Sequence, residues 1–223
     1  ATQLQGKELS YNNILDTDAC WTAVREFEEP ACVIVKHTNP CGVAIAGDLV
    51  TAYLRAHESD PVSAYGGVMA FNRPVTADVI RAIFENKQFV EVMIAPEYEP
   101  AALELLDDKR KLRVLATGGI RPVGGHYESR AVEGGMLIQD SDSVAEDQSR
   151  FRVVTIAQPS AAEMEQLLFA WRVVKSVKSN AIVLAKDFAT IGVGAGQMNR
   201  VNSARIAVEA AGDKARDAVC ASD

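Results

Sequence analysis

A lysine and a histidine stand side by side at Lys36 and His37, directly after the run Ala31-Cys32-Val33-Ile34-Val35. A fixed ammonium can stabilise an oxyanion that develops during acyl transfer. An imidazole ordinarily titrates near ~6.5, so beside it a neutral ring can accept a proton from an attacking nucleophile. A few residues on, Cys41 offers a second chemistry, a thiolate nucleophile forming a covalent intermediate as in an amidase or acyltransferase. Taken alone, a Lys-His pair is more often a solvated strand end followed by a hydrogen-bonded loop residue, so the surroundings must decide.

Those surroundings are favourable. Residues 31–35 carry no polar alternation and read as a strand buried on both faces. Pro40 and Gly42 should stop it, and the broken pleat would let Lys36 and His37 share one cleft at the strand's carboxyl end, where open α/β sheets bind ligands. A helix is expected around residues 18–27, after a turn at Tyr11-Asn12-Asn13. Asp48 should cap a second helix over 49–57. A glycine turn at 63–67 leads into a strand over 68–71. Thr76 caps a helix bearing Val79, Ile80, Ile83 and Phe84, before strands at 90–95 and 112–116 separated by a helix at 101–106. Residues 117–149, with three glycine pairs, read as a crossing segment around the apolar run 135–139. The capping box Ser160-Ala161-Ala162-Glu163 opens the strongest helix. A strand at 181–185, a hairpin partner at 190–193 and a helix from about 199 to 210 follow, with no terminating element beyond. Strands alternating with amphipathic helices predict an α/β fold with a mostly parallel mixed sheet, divided into lobes over 1–150 and 151–223.

The chain has 223 residues, 48% of them hydrophobic, and a formal net charge of −7. That acidity argues against nucleic-acid and membrane-surface partners, which need a basic excess. Cys20, Cys32, Cys41 and Cys220 have no paired spacing, so free thiols, a reducing cytoplasmic setting and no zinc are expected. The chain opens on Ala1 and its first methionine is Met69; it is read as cut from something longer. His57 and His126 read as surface or loop residues.

The stretch from Ile191 to Gln197 feeds a helix N-terminus but is neither a P-loop nor a G-x-G-x-x-G; its glycines read as permitting close backbone approach. It joins a set of motifs: Ser10-Tyr11-Asn12-Asn13 with Asp16, Val35-Lys36-His37-Thr38-Asn39-Pro40-Cys41-Gly42, Asp60-Pro61-Val62-Ser63-Ala64-Tyr65-Gly66-Gly67, Ile94-Ala95-Pro96, and Val177-Lys178-Ser179-Asn180-Ala181-Ile182. Together these resemble, in order and from end to end, the transformylase part of the AICAR transformylase/IMP cyclohydrolase family. The resemblance implies truncated cytidine-deaminase-like three-layer α/β/α lobes. It also implies formyl transfer from the co-substrate 10-formyltetrahydrofolate to the 5-amino group of the nucleotide AICAR, in a full-length homodimer. Zinc is not implied, since the H-x-E and P-C-x-x-C motifs of the zinc deaminases are missing. On the matching positions, Lys36 and His37 would be catalytic. Gly66, with Tyr65 beside it, and Asn180 would bind substrate, the asparagine answering a carboxamide with both a donor and an acceptor. Glu91 and Arg200 would contact the folate. Family chains also carry an upstream cyclohydrolase domain and further C-terminal segments, so little activity is expected of these residues alone.

Overall fold

The computed structural model describes residues 1–120, 127–142 and 148–223. In chain order its elements are β1 (Thr2–Gln5), α1 (Tyr11–Val24), β2 (Ala31–Lys36), β3 (Asn39–Ile45), α2 (Leu49–Ser59), the short α3 (Pro61–Ala64), β4 (Gly67–Phe71), α4 (Ala77–Glu85), β5 (Val90–Ala95), α5 (Pro100–Leu106), β6 (Arg113–Ala116), β7 (Tyr127–Val132), β8 (Gly135–Asp140), α6 (Ala161–Val174), β9 (Ile182–Lys186), β10 (Ala189–Gly194), α7 (Arg200–Ala211) and β11 (Val219–Ser222). His126 and the Gly124-Gly125 pair lie outside the described residues.

The α/β reading holds: one nine-stranded mixed sheet, ordered β1-β6-β5-β4-β2-β3-β10-β9-β11, lies between helices. Parallel pairing is confined to β4 with β5 and β5 with β6, the neighbours joined through helices. The other pairings in the sheet are antiparallel; two of them, β2 with β3 and β9 with β10, are set by two-residue hairpins too short for a crossover. β7 and β8 form a separate exposed ribbon.

The alternation of side chains along β2 divides the core. Ala31, Val33 and Val35 meet Cys20 and Val24 of α1 and Phe169 and Val173 of α6. Cys32 and Ile34 meet Tyr53 of α2 and Ile80 and Ile83 of α4. Burial on both faces explains why this strand has no polar position.

The chain also contains an internal repeat that its letters largely conceal. α1 and α6 are both 14-residue helices opened by a serine capping box, Ser10 with Asn13 and Ser160 with Glu163. Each leads to a hairpin whose two turn residues have positive φ: His37 (52°) and Thr38 (63°) in one, Asp187 (52°) and Phe188 (62°) in the other. A glycine then lies against the following helix. A Cβ on Gly42 would sit 2.0 Å from the Ala56 carbonyl oxygen, and one on Gly192 2.1 Å from that of Ala207. The units close alike, since the Ala31 N–H donates to Asn72 Oδ1 and the Ala181 N–H to Asp223 Oδ1, both at 2.8 Å. They join edge to edge through β3 and β10, so a half-turn about an axis normal to the sheet exchanges them.

Two differences from expectation follow from this plan. The Tyr11-Asn12-Asn13 stretch is helix rather than turn, because Asn13 at the third position returns the cap of Ser10 through its own Oδ1. A terminating strand also exists: β11 pairs β9 as β4 pairs β2.

Candidate active site

The hairpin between β2 and β3 carries the Lys-His pair. The reversal occurs at His37-Thr38, ahead of Pro40, which lies inside β3; the pairing register shifts between Ile34 and Val35, leaving Cys41 as the extra residue. Positive φ at both central positions is the type I′ geometry that two-residue hairpins favour, here built without glycine or asparagine. Besides the Thr38 hydroxyl, which donates to the adjacent His37 carbonyl at 2.7 Å, three contacts hold it. The Thr38 N–H donates to Asp16 Oδ1 at 2.7 Å, Asn39 Nδ2 donates to the His37 carbonyl at 3.1 Å, and Asn39 Oδ1 accepts the Lys178 N–H at 3.0 Å. The last bond joins the hairpin tip to the loop that carries Asn180.

Lys36 ends its strand, half-buried, and its Nζ donates to the carbonyls of Tyr65 and Gly66 at 2.8 and 2.9 Å. Gly66 must be glycine for this approach: its φ is +70°, and a Cβ there would stand 3.2 Å from Lys36 Nζ. Its N–H donates to the Phe89 carbonyl at 2.8 Å. The Phe89 and Tyr65 rings lie 5.5 Å apart, both largely exposed. Lys36 and His37 therefore do not alternate across one flat strand, since His37 belongs to the turn and is exposed.

The other predicted residues gather at the same end of the sheet. Asn180 precedes β9, donates through Nδ2 to the Gln197 carbonyl at 2.8 Å, and accepts the Ser203 hydroxyl at its own carbonyl. Arg200 opens α7, and its Nη1 lies 2.6 Å from Asp223 Oδ1. The hydroxyl of Ser179, the N–H of Ala181 and the Arg200 guanidinium hold the Asp223 carboxyl well below the usual carboxylate range. Glu91, in β5, accepts Asn13 Nδ2 at 3.0 Å and stands 3.6 Å from Arg113 Nη1. Lys36, Tyr65 and Gly66 are thus in direct contact, and Asn180 is tied to them through Lys178 and Asn39. Arg200 and Glu91 flank this group, each engaged with a partner of its own. β2 runs antiparallel to β4 and β5, so the cleft at its carboxyl end is bounded by the amino ends of those strands.

Cys41 is unsuited to nucleophilic work. Burial first, then the Asp60 carboxylate, pushes its thiol up to about 12, and the thiol donates weakly to the Ile34 carbonyl at 3.5 Å. A thiol with that pKa is almost wholly protonated near neutrality, and the thiolate is the reactive species. His57 is helical, not in a loop, and its Nε2 lies 2.9 Å from Gln88 Oε1. Cavities of about 490 and 630 Å³ lie beside α1 and α6 and include neither Lys36 nor His37. Asp16 and Asn39 stood in the sequence motifs without a role of their own, and Gln197 and Asp223 were given none. The Asn-Pro step and the mid-helix aspartate carry no signal until the hairpin is folded against them. Among the described residues no helix is long and apolar enough to cross a membrane.

The family model described as AICARFT/IMPCHase bienzyme matches residues 1–210. A bifunctional purine biosynthesis protein PurH from Thermoanaerobacter sp. (strain X514) is 52% identical over 224 residues, covering 99% of this chain and 43% of the relative. One of the same name from Bacillus cereus (strain ATCC 10987 / NRS 248) is 50% identical over 223 residues, covering 100% of this chain and 43% of the relative. The chain spans less than half the length of these curated relatives.

Proposed function

The chain belongs to the AICARFT/IMPCHase bienzyme family, and on that premise we propose that the cleft around Lys36 and His37 transfers a formyl group from 10-formyltetrahydrofolate to the 5-amino group of AICAR. Its relatives are bifunctional purine biosynthesis proteins. The observation that carries the proposal is the fixed ammonium of Lys36, held by two carbonyls one residue before an exposed imidazole on a tethered turn. The accepting amine is weak, because its lone pair is delocalised into an imidazole ring bearing a carboxamide, and it needs a base. His37 takes the amine proton as nitrogen bonds to the formyl carbon. Lys36, with two N–H groups on carbonyls, turns its third towards the oxyanion. The carbon–nitrogen bond to the folate then breaks, and the folate nitrogen leaves with a proton. Asn180 meets the carboxamide, Gly66 and Tyr65 border the nucleotide, and Glu91 and Arg200 face the folate. In the homodimer that the family resemblance implies, a second copy would complete the surroundings of the cleft.

The test grafts residues 1–223 in place of the matching segment of the Bacillus cereus relative and follows tetrahydrofolate release in the presence of AICAR. His37→Ala should lower kcat about 10²- to 10³-fold, the contribution typical of a positioned general base. Turnover within threefold of the parent graft would overturn the proposal.

A further inference from the structure

We propose that Asp16 is a positioning residue, which fixes the His37-Thr38 turn in its left-handed form and so aims the imidazole; this rests on the formyl-transfer reading above. Both turn residues have positive φ, 52° and 63°; histidine tolerates this conformation better than most residues, but the β-branched Thr38 adopts it rarely. Something outside the hairpin must therefore hold it. Asp16, on α1, accepts the Thr38 N–H at 2.7 Å, the shortest of the three contacts described above for this turn.

The repeat supplies an independent instance. The turn at Asp187-Phe188 has the same two left-handed residues and is clasped from the matching position of α6, where Gln166 Oε1 accepts the Asp187 N–H at 2.7 Å. Position 16 of one helix and position 166 of the other thus both clasp their turn through a side-chain oxygen, Asp16 at the second turn amide and Gln166 at the first. One is charged and the other neutral, so what the repeat preserves is a hydrogen-bond acceptor. Asp16 acts on His37 through the backbone; its role needs an oxygen, not a charge.

The experiment uses Asp16→Ala, Asp16→Asn and the double variant Asp16→Ala/Thr38→Gly. Amide hydrogen exchange is read in the chain, and kcat and KM in the graft described above. Asp16→Ala should speed exchange of the Thr38 amide at least tenfold and lower kcat about tenfold, with KM within twofold. Asp16→Asn keeps an acceptor oxygen and should stay within threefold of the parent in both. Glycine at position 38 adopts positive φ freely, so the double variant should recover kcat to within threefold. Unchanged Thr38 exchange in Asp16→Ala, an Asp16→Asn as impaired as Asp16→Ala, or an unrescued double variant would each overturn the proposal. Failure of the formyl-transfer reading is separately visible: His37→Ala would leave turnover intact, while the exchange of Thr38 would still report whether Asp16 holds the turn.

Discussion

Replacing Gly42 by alanine tests the tightest packing near the hairpin. The added Cβ would lie 2.0 Å from the Ala56 carbonyl oxygen and 2.8 Å from its carbon, whereas ordinary contact begins near 3.4 Å, so α2 must retreat by about 1.4 Å. Both partners are backbone, and no side-chain rotation relieves the clash. Retreat on that scale also loosens Leu49, Ala52, Tyr53 and Ala56, which α2 buries against the sheet, and a gap of even ~0.5–1 Å forfeits a quarter to a half of a dispersion contact. Overpacking ordinarily costs about 1–3 kcal/mol, and this geometry sits at the upper end, about 3 kcal/mol. At roughly 2–4 °C per kcal/mol for a chain of this size, Tm should fall by about 6–12 °C. Gly192→Ala, with its Cβ 2.1 Å from the Ala207 oxygen, should fall by a similar amount, while Gly47→Ala, which meets nothing within 4 Å, should stay within about 1 °C. Thermal melts followed by circular dichroism decide the matter. A Gly42→Ala protein melting within about 2 °C of the parent would refute the reasoning.

Other outcomes follow from the site. Cys41→Ala should keep turnover within threefold of the parent graft, because its thiol is buried and protonated; a loss matching that of His37→Ala would revive the thiol route. Lys36→Met should lower kcat roughly 10²-fold, as removal of an oxyanion donor does, with a smaller change in KM. The depressed carboxyl of Asp223 contributes stability above its ordinary value of 3.8, and that contribution is lost as pH falls towards the lowered value. Asp223→Asn should therefore melt below the parent near pH 6, and the gap should narrow steadily as pH falls below 3.8 in a pH series of melts; a gap that does not vary with pH would count against this assignment.

The core strands and the Lys-His pair were legible from local pattern. Residues 31–35 announce a doubly buried strand, and Ser160 with Glu163 announces a helix start. The turn was misplaced because Pro40 and Gly42 are the conventional breakers, whereas His37 and Thr38 make the reversal with left-handed φ and neither is a glycine or asparagine that would announce it. Parallel pairing was overestimated for a related reason: direction depends on connection length, and the two-residue hairpin at 37–38 reverses the chain without visible turn letters, whereas the one at 187–188 was expected. The repeat hid because it preserves acceptors, cap positions and close approaches rather than residue types. Ser10 with Ser160, Trp21 with Trp171, Lys36 with Lys186 and Gly42 with Gly192 repeat literally, and the other identities, such as Val24 with Val174, Ala31 with Ala181, Val33 with Val183 and Val43 with Val193, are mostly common core residues. The gathering of Asn180, Arg200 and Glu91 at one end of the sheet was beyond reach from spacing, since the loop before β9, the start of α7 and strand β5 deliver them.

Asp187 occupies, in the second hairpin, the station His37 holds in the first. On the proposed function, then, the repeat shares a frame and leaves the reactive group single: one half labours while its sibling serves as an abutment, lending the Lys178 amide as a prop for the working tip. Such a division frees the abutment from chemical selection: a library randomised at 187 and at 37, scored for growth without purines, should accept many side chains at the former and almost none at the latter.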